Sequence, residues 1–214
     1  MIELGLKFTA GYLLGSILGS LVVGFLRGGV DIRKLGSGNP GGTNALRTQG
    51  KAFALWVMVI DVGKGILAVS VLPSLAVFGL TLDPAVDRDL VLYSVAFAAI
   101  LGHVYPLWHD FKGGKGGATA AGIICVLAPP LGLVLIAIWI GIIALTGFVG
   151  LATMSAAVGA AVYVAITSAA TQTGLLVFTV ATAMLIVFTH RENIRRMRAG
   201  TETRMGMLRR HSSP

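Results

Sequence analysis

Residues 116–189, 74 consecutive positions, contain no Asp, Glu, Lys or Arg. A water-soluble domain cannot hide a stretch of that length, because its surface needs charge every few residues. A bilayer core takes about 20 apolar residues per helix, so the stretch has room for three or four crossings. The rest of the chain agrees. Of 214 residues, 55% are apolar and 12% charged, and nine acids with seventeen bases are too few to coat a soluble core of this size. The expected fold is all-α, a polytopic integral membrane protein.

Hydropathy and the charged segments divide the chain. The first three spans fall near residues 5–26, 52–72 and 90–107. The long uncharged stretch breaks at Pro129-Pro130, at 147–150 and around 167–174, giving four shorter spans. The first span has no cleavage site followed by a soluble domain, so it reads as a retained helix. Its Gly11, Gly15 and Gly19 form a ladder suited to close helix packing. Asp61 and Lys64 lie one turn apart inside the second span, where they can pair; a structural pair is the expected reading.

Lys and Arg number five in residues 27–51, two in 108–117 and seven in 190–214. The link 73–89 has Arg88 alone against Asp83, Asp87 and Asp89. The positive-inside rule places the three basic segments in the cytoplasm and the acidic link outside. Parity then gives seven transmembrane helices, with the N-terminus outside and the C-terminus cytoplasmic. Residues 1–200 are expected to form one seven-helix transmembrane domain, and 201–214 a basic, flexible cytoplasmic tail resting on anionic lipid.

The net charge of +8 flanks hydrophobic spans and does not point to nucleic acid. Cys125 is the single cysteine, which excludes an internal disulfide and a C-x-x-C metal site. Residues 36–41 spell G-x-G-x-x-G with no preceding strand, so a dinucleotide fold is excluded. Gly114-Lys115 is followed by Gly116 where a P-loop needs Ser or Thr.

Three polar segments remain, all on the inferred cytoplasmic side. The first runs Gly36-Ser37-Gly38-Asn39-Pro40-Gly41-Gly42-Thr43-Asn44-Ala45-Leu46-Arg47. The second opens with Gly102-His103-Val104-Tyr105-Pro106 and continues Phe111-Lys112-Gly113-Gly114-Lys115-Gly116-Gly117-Ala118-Thr119. The third begins His190-Arg191-Glu192-Asn193-Ile194-Arg195-Arg196 and ends Gly200-Thr201-Glu202. Glycine lets a backbone turn several N–H groups toward one anion. A neighbouring Lys or Arg supplies the countercharge, and Ser37, Thr43, Asn44 and Asn193 add neutral donors. The combination points to a phosphate pocket. His103 reads equally well as catalytic or as a helix-end histidine bonded to backbone, His109 reads as a solvated loop residue, and His190, opening a polar motif at a membrane border, reads as functional.

Together the three segments resemble the membrane-integral bacterial acyl-phosphate-dependent glycerol-3-phosphate acyltransferases. That family's patterns, G-S-G-N-x-G-A-T-N, then G-H-x-x-P with F-K-G-G-K-G-x-A-T, then H-R-x-N-I-x-R-x-x-x-G-x-E, match at 36–44, 102–119 and 190–202. The D-x-x-K-G run at Asp61 to Gly65 is similar to the family as well. The resemblance implies seven membrane helices and transfer of a fatty acyl group from acyl phosphate to the sn-1 hydroxyl of glycerol 3-phosphate. Lysophosphatidic acid and phosphate are the implied products, with no cofactor and no metal. It implies binding roles for Ser37, Gly38, Asn39, Thr43, Asn44, Arg47, Gly114, Lys115, His190 and Asn193. His103, Lys112 and one of Thr153 or Ser155 are further candidates. The expected partners are the two substrates and membrane lipid, with no nucleic acid and no stable protein partner. The expected location is the bacterial inner membrane, with the site at the cytoplasmic face. Gly42 and Gly117 depart from the family's alanine and valine. No H-x-x-x-x-D dyad of the soluble-type acyltransferases follows His103, His109 or His190. The alternative class is a transporter of a small phosphate compound, which would carry its polar groups at mid-membrane.

The charge bias predicts that cysteines placed at Gly38, Gly114 and Arg195, in a Cys125→Ala background, are shielded from an impermeant thiol reagent on intact cells. External labelling of any one of them would overturn the assigned orientation.

Overall fold

The computed structural model describes residues 1–76 and 84–206. Asp83 of the acidic link and residues 207–214 of the tail lie outside the described residues. The chain forms two compact units, Met1–Pro129 and Pro130–Pro214.

In the first unit the helices are α1 (Ile2–Gly15), α2 (Gly19–Leu26), α3 (Gly42–Gln49), α4 (Lys51–Val71), α5 (Arg88–Val104) and α6 (Gly117–Leu127). The second unit holds α7 (Pro129–Thr146), α8 (Val149–Thr167), α9 (Thr173–Thr189) and α10 (Arg191–Arg198). No strand occurs among the described residues.

The first expected span is not one helix. It bends by 46° between α1 and α2, with Leu18 extended at φ −89° and ψ 116°. Ser16 turns its hydroxyl back on the Tyr12 carbonyl, 2.8 Å away. The break divides the glycine ladder between two partners. Gly11 and Gly15 lie against Val95, Ala98 and Ala99 of α5, so closely that a Cβ at Gly15 would strike the Ala99 backbone. Gly19 faces Val57, Ile60 and Asp61 of α4. Glycine serves the same purpose where α4 meets α6: a Cβ on Gly65 would collide with the Thr119 carbonyl, and one on Gly122 with that of Val62. Small residues thus replace the hydrophobic effect as the means of holding helices together in an apolar solvent.

Charge is buried at both ends of the α1–α5 pair. At one end Glu3 accepts from Lys7 at 2.8 Å and from Arg88 at 2.8 and 3.1 Å, while Lys7 also reaches the Pro73 carbonyl at 2.6 Å. At the other lie Asp61, Lys64 and His103, described below.

Apolar side chains in the second unit face outward. Leu145 on α7 is 84% exposed and Ile166 on α8 is 79% exposed, an arrangement stable in lipid and not in water. Four helices or helix extensions, Lys51–Val71, Arg88–His109, Pro129–Thr146 and Val149–Thr167, are long and apolar enough to cross a bilayer. Counting each bent pair, α1 with α2 and α9 with α10, as one span raises the number to six. The seventh expected segment, α6, has 11 residues and rises only about 16 Å.

Two other expectations change. Residues 27–51 are not all loop, because α3 occupies their second half. The tail does not become free at residue 201. Glu202 is bonded to Asn193 and Arg196, and Met205 donates its N–H to the Gly147 carbonyl at 2.7 Å.

The α1–α5 contact predicts that Gly15→Val lowers the thermal midpoint in detergent sharply, since overpacking costs about 1–3 kcal/mol. Gly63→Val, at a position with nothing within 4 Å, should leave the midpoint nearly unchanged.

Candidate functional site

The first polar segment is a loop pinned from inside. Asn44, 1% exposed, donates from Nδ2 to the carbonyls of Ile32 and Leu35 at 3.0 and 2.9 Å, and its Oδ1 accepts from the Ser37 N–H at 3.0 Å. Both amide protons are spent on the backbone. Asn44, expected as a substrate donor, therefore holds the loop from inside with these bonds. Gly36 is required at φ +57°, and a Cβ there would run into Asn44 Oδ1. Asp31 closes the loop's entry by accepting from the Arg33 backbone and guanidinium at 2.8–3.2 Å. That hydrogen bonding holds the Asp31 carboxyl below its usual range.

Ser37 and Gly38 are exposed at the loop's crest and Asn39 is half-buried. The chain then enters α3 at Gly41, where no side chain caps the helix. The first amides of α3 thus lack an intrahelical acceptor, the usual setting for an anion. Thr43 sits in that first turn and Arg47 one turn later, exposed. Gly42, the departure from alanine, faces the Met58 side chain of α4.

The second segment folds back on the end of α5. Tyr12 Oη donates to the Tyr105 carbonyl at 2.6 Å. The N–H groups of Gly113 and Gly114 bond the carbonyls of Val104 and His103 at 3.1 and 2.9 Å. Three glycines here have separate reasons. A Cβ at Gly113 would strike the His103 and Val104 carbonyls, and one at Gly114 would strike the His103 ring. Gly116 sits at φ +84° and starts α6, again without a side-chain cap. The turn therefore presents an uncapped helix start beside Lys115, which is partly buried, while Lys112 is exposed. Asp110, just before this stretch, is near enough to Arg33, ahead of the first segment, to act on it electrostatically.

Under this turn lies a buried ionic cluster. Lys64 Nζ is 3.0 Å from Asp61 Oδ1, 2.6 Å from the Ile17 carbonyl and 2.8 Å from His103 Nδ1. Asp61 Oδ1 also accepts from the Gly19 N–H at 3.1 Å. The pair read from sequence forms as expected. Its link to His103 and to the break in the first span was not legible, because neither 17–19 nor 103 is near it in sequence.

In the second unit, the third segment is the junction of α9 and α10. His190, 5% exposed, has Nδ1 2.7 Å from the Ile186 carbonyl. A carbonyl only accepts, so Nδ1 carries a proton and, in the neutral ring, Nε2 is the acceptor nitrogen. Asn193 donates to Glu202 at 2.8 Å, and Arg196 donates to the same carboxylate at 2.6 Å. Glu202 was visible in the motif, but its position behind Asn193 emerges only from folding. A Cβ at Gly150 would crowd the Asn193 side chain, so glycine there lets α8 approach α10.

The structure also separates Thr153 from Ser155. Thr153 Oγ1 donates to the Val149 carbonyl at 2.9 Å and accepts from the Trp139 indole at 3.2 Å. Ser155 instead lines an apolar groove with Met154, Ile194, Met197 and Arg198. Ser155 thus lies beside Ile194, Met197 and Arg198 of the third segment's helix, while the Thr153 hydroxyl is engaged by Val149 and Trp139.

Comparison with known proteins places this geometry in a context. A family described as "Glycerol-3-phosphate acyltransferase" matches residues 6–200. The glycerol-3-phosphate acyltransferase of Exiguobacterium sibiricum is 42% identical over 209 residues, covering 97% of this chain and 96% of the relative. That of a Synechococcus species is 40% identical over 201 residues, covering 94% of each. Crystal structures of PlsY (YgiH), an integral membrane glycerol 3-phosphate acyltransferase, are also similar, at 35% identity. The glycerol 3-phosphate form has a TM-score of 0.82 and covers 95% of this chain and 96% of that one. The lysophosphatidic acid form has a TM-score of 0.80 and covers 95% of each.

Asn44→Ala should strip the loop of its pin and leave the buried Ile32 carbonyl without its donor, at about 1–3 kcal/mol, and the part-buried Leu35 carbonyl without its own. Lower thermal stability and faster proteolysis within 32–41 are the expected readouts, while Ser37→Ala should match the unsubstituted protein in both.

Proposed function

The chain belongs to the glycerol-3-phosphate acyltransferase family, and we propose that it transfers a fatty acyl group from acyl phosphate to the sn-1 hydroxyl of glycerol 3-phosphate at the cytoplasmic face of a bacterial inner membrane. It is an acyltransferase, and its product is lysophosphatidic acid. The observation that carries the reading is the pair of glycine turns in the first unit, each opening an uncapped helix beside a base, Arg47 or Lys115. PlsY is known in forms with glycerol 3-phosphate and with lysophosphatidic acid. With the family established, the transporter reading falls away.

The donor follows from chemistry. Acyl phosphate is already activated, so catalysis needs positioning and charge stabilisation more than a strong base. In the step, the sn-1 oxygen of glycerol 3-phosphate bonds to the acyl carbon and the bond from that carbon to the phosphate oxygen breaks. The departing phosphate takes the hydroxyl proton. Arg47, Lys115 and the loop amides steady the phosphate charges, assisted by Ser37, Gly38, Asn39, Thr43 and Gly114. His190, through Nε2 as acceptor, and Asn193, held by Glu202, orient the glycerol moiety, with Ser155 preferred to Thr153. Lys112 has a lesser part. No step requires a metal or cofactor.

The topology belongs to the same proposal: seven crossings, N-terminus outside, C-terminus cytoplasmic. The charge distribution supports it, as does the helical state of all seven expected segments. The short α6 would be the span that begins at the phosphate turn. Residues 1–200 would serve one catalytic function, and the basic residues beyond would lie on anionic lipid.

Purified protein in lipid or detergent should form lysophosphatidic acid from palmitoyl phosphate and glycerol 3-phosphate, and none from palmitoyl-CoA. Arg47→Ala and Lys115→Ala should each lose about ten- to a hundredfold, as expected for charged hydrogen bonds of roughly 1.5–3 kcal/mol, and Lys112→Ala should lose less. His190→Gln should raise KM for glycerol 3-phosphate with little change in the pH profile of kcat. Efficient transfer from palmitoyl-CoA would sink the donor assignment. Collapse of kcat at constant KM, with loss of an acid limb, would make His190 the general base.

A further inference from the structure

His103 is 3% exposed and sits directly beneath the 113–116 turn. Its two ring nitrogens have different surroundings. Nδ1 is 2.8 Å from Lys64 Nζ and 3.5 Å from Asp61 Oδ1. Nε2 is the ring atom nearest the place where a Cβ on Gly114 would lie. The ring therefore occupies the space that any larger residue at 114 would fill.

The contacts of Lys64 determine the tautomer. An ammonium has three protons, and three acceptors surround this one: Asp61 Oδ1, the Ile17 carbonyl and His103 Nδ1. With Lys64 charged and Asp61 ionised, the buried cluster is neutral. An imidazolium would add an uncompensated charge in a low-dielectric setting, which is costly. Nδ1 is thus the acceptor, and the ring's single proton sits on Nε2, the nitrogen turned toward the glycine turn.

We propose that His103 is a phosphate-binding residue, donating its Nε2–H to a phosphate oxygen held by the 113–116 turn. Lys64, itself anchored by Asp61, is the positioning residue that fixes this tautomer. The assignment rests on the reading of that turn as a phosphate cradle. It explains why a buried ion pair of α4 abuts the end of α5, and why residue 114 must be glycine although its backbone φ is not positive. The same cluster binds Ile17 and Gly19 at the break of the first span, so one set of charges holds both the break and the donor.

Two measurements test this. His103→Gln places an amide N–H near the position of Nε2, whereas His103→Asn places its oxygen near Nδ1 and satisfies Lys64 alone. His103→Asn should stay folded and raise KM about ten- to a hundredfold for glycerol 3-phosphate or for palmitoyl phosphate, whichever phosphate sits in the turn. His103→Gln should recover much of that loss. Recovery by Asn and not by Gln would show a purely structural histidine and overturn the proposal. The second measurement does not depend on variants at 103. In ¹⁵N-histidine-labelled protein, with the other histidines assigned by single substitution, His103 should show unprotonated Nδ1 and protonated Nε2. Glycerol 3-phosphate, palmitoyl phosphate and inorganic phosphate, each added alone, identify the phosphate that shifts Nε2. An Nδ1–H tautomer, an imidazolium, or no response to any of the three would overturn the assignment. Absence of lysophosphatidic acid formation by the unsubstituted protein would instead sink the enzymatic reading, separately from the spectroscopic result.

Discussion

A helix interrupted inside a membrane exposes backbone groups that lipid cannot satisfy, at a cost of several kcal/mol each. Asp61 and Lys64 solve that problem here. The break between α1 and α2 leaves the Ile17 carbonyl and the Gly19 N–H without helical partners, and the two charges of α4 bond them at 2.6 and 3.1 Å. A lone intramembrane ion would be expensive; a pair 3.0 Å apart, also bonded to backbone and to His103, is less so because its charges offset each other. Remove that cluster and the first span has no reason to bend where it does.

The bend in turn decides which helices can meet. Gly11 and Gly15 are committed to α5, and Gly19 to α4. With α1 locked on α5, the Tyr12 hydroxyl reaches the Tyr105 carbonyl and the end of α5 is fixed. That end carries His103, and the next turn folds over it. A chain of close backbone contacts, each possible because a glycine lacks a side chain, therefore runs from the interior of the first unit to the mouth of its glycine loop.

Glycine serves chemistry in a second way at the border. Gly41 and Gly116 open α3 and α6 without supplying a capping side chain. Under the proposed function, the amides at these helix starts would meet a substrate that arrives with its own negative charge. The enzyme acts on anionic molecules, one of which carries a fatty chain. Under the proposed function, glycine turns backed by Arg47 and Lys115 would meet the anions, while apolar outer faces such as that of α7 keep the protein in the phase where the chain resides.

Much of this was legible in the sequence. The uncharged run dictated a membrane protein because no solvent but lipid tolerates it, and the Lys/Arg bias is what the proposed orientation rests on. The segments 36–47, 102–119 and 190–202 stood out since motif chemistry is local. Pairing of Asp61 with Lys64 followed from helical spacing alone. What only the tertiary structure decided was the partner of each group across long sequence separations. It turned Asn44 inward to hold a loop, put Glu202 behind Asn193, gave the Thr153 hydroxyl to Val149 and Trp139, and set His103 between Lys64 and Gly114. Those assignments depend on which helix faces approach one another, and that is fixed by packing at distant glycines, which residue identity along the chain does not encode.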